Sequence, residues 1–192
     1  MTPTVPATAP NPPLMTAEEF VRLHGHDSGV ELFRGRLVRT PMPTGKHGEI
    51  CGNAFAFVRE FAKAARLGRV MCNDTFIRVG TNPDTYRGAD VCFISFARLP
   101  ESEPIPDRPL EIAPELVIEV RSRSDRTSDV LLKVGDYLGA GVTVVIVLDP
   151  AIDAAAMYRQ GDDFPQRMHN GDELTLPDVL PGFAVPVRRF FE

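Results

Sequence analysis

The chain has 192 residues, 43% hydrophobic and 24% charged, which suits one soluble domain with a sizeable core. Its net charge of −5 excludes a protein that coats nucleic acid through global basicity, but leaves room for a local basic groove or a bound metal. No apolar run approaches bilayer-spanning length, and residues 1–13 lack the basic start and apolar middle of a secretory signal.

Residues 1–13 carry five prolines and few large apolar side chains, the composition of a disordered tail; residues 14–192 read as a single domain. Thr16 is placed to cap a short helix ending near Leu23, with Glu19 at the capping-box position. Glu31-Leu32-Phe33 and Arg36-Leu37-Val38 flank Arg34-Gly35 as a tight hairpin. From His47 to Leu67 the stripe Ile50, Ala54, Phe57 and Phe61 predicts a helix, with Gly68 as its C-cap. Val70 to Val79 and Ala89 to Phe96 read as strands joined across Gly80 to Asp84.

Pro114 to Arg121 reads as a buried strand, because Leu116, Val117, Ile118 and Val120 are apolar on both faces of the pleat. A helix follows over Thr127 to Gly139, with Val130, Leu131, Val134 and Leu138 as its expected buried stripe. Val142 to Leu148 is a second buried strand, stopped by Asp149-Pro150. So short a strand–helix–strand crossover makes these two strands parallel neighbours. Short strands are expected near Ala154 to Arg159 and Pro165 to Met168, and Leu176 to Phe183 reads as irregular chain or one helical turn. The fold class is α/β, a mixed sheet with helices on both sides.

Two carboxylates interrupt apolar strands. Glu119 lies near the end of one and Asp90 opens the other. A buried charge needs a partner, a proton or a cation. If the two strands are neighbours, both carboxylates converge, and oxygen-only ligands favour Mg²⁺ or Mn²⁺. The rival reading has Asp90 capping a turn after Gly88 and Glu119 paired with an arginine. Lys133 falls at the edge of its helix's buried stripe, within reach of the Glu119 strand; alternatively it is a solvated lysine paired with Asp129 or Asp136. Arg121, two residues after Glu119, would neutralise it or grip a phosphate. Glu31 and His47 begin a strand and a helix, where either would face a cleft or simply lie at the surface. His24, His26 and His169 show no ligand spacing. Cys51, Cys72 and Cys92 make no CxxC pair and each reads as a small buried or half-buried thiol in a reducing compartment, which places the protein in the cytoplasm. Phosphate loops, dinucleotide fingerprints, nucleophile elbows and HExxH motifs are all missing from the sequence.

Taken in order, Glu31-Leu32-Phe33-Arg34-Gly35, His47-Gly48, Asp90, Pro114-Glu115-Leu116-Val117-Ile118-Glu119-Val120, Lys133-Val134-Gly135-Asp136-Tyr137, Gly141-Val142 and Asp149-Pro150 resemble the Uma-two family. That is a bacterial group of restriction-endonuclease-like proteins in the PD-(D/E)XK nuclease superfamily. The resemblance implies a central mixed sheet flanked by helices, with a carboxylate pair binding a divalent metal and a lysine completing the site. Asp90 and Glu119 match the family's carboxylates, and Lys133 matches the lysine that many members carry on the following helix. Glu31 and His47 match recurring positions. The chain departs from the pattern at Ala89, where a proline is usual, and at Arg121, which stands in the place of the parent motif's lysine. The usual tryptophan near Val145 or Ile146 is also missing.

The resemblance thus implies a Mg²⁺- or Mn²⁺-dependent endonuclease acting on DNA. Asp90, Glu119 and the Val120 carbonyl would hold the metal, Lys133 would position or deprotonate water, and Arg121 would stabilise phosphate charge. A rival is a non-catalytic protein on the same fold that binds DNA or a partner, with exposed C-terminal strands allowing a homodimer. A third reading makes Asp90 and Glu119 an acid/base pair acting without metal on another substrate, such as a sugar.

Overall fold

A computed structural model describes residues 13–192; all but the last residue of the proline-rich segment 1–13 lies outside the described residues. Helix α1 (Ala17–His24) leads into the hairpin β1 (Val30–Phe33) and β2 (Arg36–Arg39), and then into helix α2 (Gly45–Ala64). Strands β3 (Gly68–Gly80), β4 (Thr85–Ser95) and β5 (Leu116–Val120) precede helix α3 (Thr127–Gly139) and strand β6 (Val144–Asp149). Strands β7 (Ala154–Arg159) and β8 (Gln166–Met168) extend the sheet, and β9 (Glu173–Leu176) and β10 (Leu180–Pro186) form a second one.

The main sheet has eight strands in the order β2-β1-β4-β5-β6-β7-β8, with β3 pairing β4 off that path. The pair β5/β6 is parallel and in register from Leu116↔Val144 to Val120↔Leu148, as the short crossover demands; the other pairs are antiparallel. One face packs on α2 through Ile50, Ala54, Val58 and Ala62, against Val91, Phe93, Leu116, Ile118 and Val120. The opposite face packs on α3 through Val134 and Tyr137, against Cys92, Val117, Val145 and Val147. The α/β class with helices on both faces is therefore as expected.

One feature of the sheet positions everything that follows. Strand β3 runs along the whole of one edge of β4, from Gly68↔Ser95 to Gly80↔Thr85. Both β1, at Leu32↔Tyr86, and β5, from Val91↔Ile118 onward, must then use the other edge. Between them residues 87–90 of β4 face a split in the sheet.

Several expectations need correction. Strand β4 starts at Thr85, not Ala89, so Asp90 lies inside the strand. Helix α2 starts at Gly45, capped by the Thr44 hydroxyl accepting from the His47 N–H, and ends at Ala64. Gly68 is not its C-cap: the left-handed residue is Arg66, with φ of 52°. Gly68 begins β3, where a Cβ would collide with the Ile94 carbonyl. The fully buried α2 stripe is Ile50, Ala54, Val58 and Ala62; Phe57 and Phe61 flank it, edge-on to Phe190 and Phe183. Leu176 to Phe183 is not irregular or helical. It spans a strand end, a turn and the start of β10, because Leu174, Leu176, Leu180, Phe183 and Val185 all point into the α2 side of the core.

A candidate active site at the split in the sheet

The register of β4 and β5, continued one step beyond Val91↔Ile118, sets Asp90 across from Glu119. The Asp90 carboxylate accepts a 2.6 Å hydrogen bond from the Val120 N–H, prolonging the ladder through a side chain. Glu119 points toward α3. Its Oε1 accepts from the Tyr137 hydroxyl at 2.8 Å, and its Oε2 lies 3.3 Å from Lys133 Nζ. Across the split, Glu31 on β1 is buried more deeply than Glu119, and its Oε1 lies 2.9 Å from the same ammonium. Lys133 is thus held between two carboxylates from different strands.

Helix α3 presents Lys133 in this way because its buried face is turned relative to the expected stripe. Val134 and Tyr137 are fully buried, whereas Leu131 is 47% exposed. Lys133 shares the side of Tyr137, one turn away, and the expected alternative of a solvated partner on Asp129 or Asp136 is not what it adopts. Asp136 binds Arg87 instead, at 2.6 Å. The Arg87 guanidinium also reaches Glu31 at 2.8 Å and lies 4.4 Å from the centre of the Phe33 ring. A charge in the middle of a buried strand is tolerated there because two acids neutralise it.

His47, at the start of α2, approaches from the other side. Its Nε2 is 3.4 Å from Asp90 Oδ2, and its Nδ1 is 3.4 Å from the Cys51 thiol one helical turn on. The hydrogen bond to Asp90 raises the imidazole pKa, outweighing burial. Burial, reinforced by Asp90 and Glu119, raises that of the Cys51 thiol. Asp74 hangs over the same region from a bulge in β3, with φ of 55°. A Cβ at Gly88 would stand 3.2 Å from the Asp74 Cβ, so the bare backbone of Gly88 permits this approach. Asp74 is exposed as a residue, but desolvation of its carboxyl by the surrounding chain and the charge of Asp90 raise its pKa.

The structure therefore gathers Asp90, Glu119, Lys133, Glu31 and His47. It does not gather Arg121, whose guanidinium is held by Asp149 at 2.9 Å and by the Thr127 hydroxyl at 3.0 Å. Arg87, Asp74, Tyr137 and Cys51 were not singled out from sequence. His47 and Cys51 carried a readable signal, four residues apart on one helix; Asp74 carried none, because only the bulge brings it near.

The electrostatics follow from the count. Glu31, Asp74, Asp90, Glu119 and Asp136 face two permanent cations, Lys133 and Arg87. Burial pushes the Glu119 carboxyl up to about 7; Asp90 and Glu31 add to this, while Lys133 and the Tyr137 hydroxyl oppose it. Burial works against the Lys133 ammonium, but Glu119 and Glu31 overcome it and raise its pKa. This local surplus of carboxylates over cations is the setting in which a divalent cation fits. His47, Cys51 and Asp90 also offer ligand atoms within 4.8 Å of one another, a group able to hold a metal ion.

The sequence matches the Uma2 family profile, described as "Putative restriction endonuclease", over residues 17–188. The chain belongs to the Uma2 family. A solved structure from Anabaena variabilis, described as "a putative nuclease belonging to DUF820", shares its fold with a TM-score of 0.81 and 22% identity. The likeness covers 92% of this chain and 97% of that one. A comparison with curated proteins finds no match. This Uma2 chain is therefore nuclease-like, with its charged cluster inside the matched span.

Proposed function

We propose that this Uma2 protein is a divalent-metal-dependent endonuclease that hydrolyses phosphodiester bonds in DNA. The observation that carries the reading is the single ammonium of Lys133 held between the buried Glu31 and Glu119, beside the Asp90 carboxylate on the next strand. Asp90, Glu119 and the Val120 carbonyl are the groups we assign to the ion, Mg²⁺ or Mn²⁺ for an all-oxygen set. When bound, such an ion supplies Lewis-acid polarisation of the phosphate and acidifies water.

The chain's own residues supply the rest. Lys133 stays protonated between two carboxylates, so it acts by holding a phosphate oxygen or a water in place rather than by taking a proton. Glu31 anchors that ammonium, and Arg87 fixes Glu31 through the pair at 2.8 Å. Tyr137 orients Glu119 by donating to Oε1. His47, hydrogen-bonded to Asp90, steadies that carboxylate on the opposite side. Because Arg121 is engaged by Asp149 and Thr127, we give the charge-stabilising role to Lys133.

The test is nicking of supercoiled plasmid with Mg²⁺ or Mn²⁺. Asp90→Asn and Glu119→Gln, checked for cooperative melting, should each lose activity, and EDTA should abolish it. Cleavage that survives in both variants would move the chemistry elsewhere. Clear metal binding with no cleavage of any DNA form would favour the non-catalytic alternative, and activity resistant to EDTA would favour an acid/base hydrolase.

A further inference from the structure

The donor set around Asp90 is not made of oxygen alone. His47 and Cys51 lie one turn apart on α2, so both project from one face of the helix toward β4. The imidazole spans the gap, with Nδ1 3.4 Å from the Cys51 sulfur and Nε2 3.4 Å from Asp90 Oδ2. One donor atom from each residue falls within 4.8 Å of the other two. A tetrahedral ion with bonds of about 2.0–2.3 Å needs donors roughly 3.3–3.8 Å apart, so the imidazole must turn until one ring nitrogen faces both the Cys51 sulfur and the Asp90 carboxylate. All three residues are half-buried, and Asp90 is already fixed by the Val120 N–H.

We infer that His47, Cys51 and Asp90 form a mixed nitrogen–sulfur–oxygen site that takes a divalent transition ion of the zinc class in preference to Mg²⁺. Imidazole and thiolate suit zinc, cobalt or iron, whereas Mg²⁺ demands hard oxygen donors in an octahedron. Three protein ligands leave a fourth position open, the arrangement of reactive zinc sites. On binding, the Cys51 S–H bond breaks, its proton passes to solvent and the thiolate ligates the ion. The inference shares Asp90 with the nuclease reading but not its ion: the zinc-class ion belongs to His47, Cys51 and Asp90, apart from the Mg²⁺ or Mn²⁺ assigned to Asp90, Glu119 and the Val120 carbonyl.

Cobalt titration of the full chain tests it, because a cobalt–thiolate bond gives a charge-transfer band in the near ultraviolet. The band should appear on adding Co²⁺, persist in Cys72→Ser and vanish in Cys51→Ser. His47→Ala should weaken Co²⁺ binding by roughly tenfold or more, since even contacts outside the ligand shell are worth about that much. An approximately thousandfold excess of Mg²⁺ should leave the band intact. A missing band, a band unchanged in Cys51→Ser, or ready displacement by Mg²⁺ overturns the inference. Should the serine variant fail to fold, thiol alkylation of the unmodified protein answers the same question. Zn²⁺ should shield Cys51 and leave Cys72 reactive, and an unshielded Cys51 overturns the proposal. Cleavage in Mg²⁺ without a cobalt band defeats this inference alone. A cobalt band without cleavage defeats the nuclease reading alone.

Discussion

At Glu119, burial and the charges of Asp90 and Glu31 favour the neutral acid, while Lys133 and Tyr137 favour the anion. The folded pKa of about 7 stands above the ordinary 4.5, so the native state holds this proton more tightly than the unfolded chain does. The stability tied to it is fully present below about pH 4.5 and is lost as pH rises through about 7. Glu119→Gln removes the titration. It should melt above the unmodified protein at pH 8 in EDTA, with the gap closing by pH 5, as followed by circular dichroism. An equal gap at both values would mean that Glu119 does not titrate in this range. Arg87 presents the opposite case, a buried cation that two acids need. Arg87→Met takes from Asp136 the guanidinium it binds and leaves Glu31 with Lys133 alone, and should cost about 3–5 kcal/mol in urea unfolding. A loss below 1 kcal/mol would mean that the acids find other partners.

The elements divide by how local their causes are. The capping box on α1 was legible because Thr16 and Glu19 satisfy each other's backbone donors within one turn. Thr16→Ala should therefore lower stability by about 1 kcal/mol in the same assay. Strands β5 and β6 were legible because both faces are apolar and the crossover between them is short. Three features were not, since each depends on chain distant in sequence. Gly68 serves close approach to Ile94 across a strand pair, not the end of the helix before it. Gly68→Ala should cost about 1–3 kcal/mol by overpacking, and a neutral result would show that the strand shifts freely. The start of β4 was hidden because Arg87 looks foreign to a strand until Glu31 and Asp136 are seen beside it. The prolines of Leu176 to Phe183 disguised a strand that packs on α2. The site shows the same division. Asp90, Glu119 and Lys133 stood out as charges among apolar residues, whereas Asp74 came into range only through a bulge, and the partners of Arg121 only through Asp149 and Thr127.

On the scale of the whole molecule, the proposed DNA substrate would have to approach an acidic cluster on an acidic chain. With a net charge of −5 and five carboxylates around two permanent cations, the site we propose would repel DNA until a divalent ion changed the local sign. Duplex retention in a gel-shift assay should therefore need an ion. Ca²⁺, an oxygen-seeking ion that serves as a non-cleaving substitute, should support binding where EDTA does not, and binding should weaken steeply with added salt. Tight retention in EDTA would place the DNA on another surface.

The split beside β4 leaves amides with no strand to pair with, and carboxylates take that place. Glu31 accepts from the Gly88 N–H at 3.2 Å, and Asp90 accepts from the Val120 N–H at 2.6 Å. An oxygen drawn toward a bound ion loosens the amide it was holding. Proton exchange at Gly88 and Val120 thus reports, one amide at a time, whether Glu31 or Asp90 has changed allegiance.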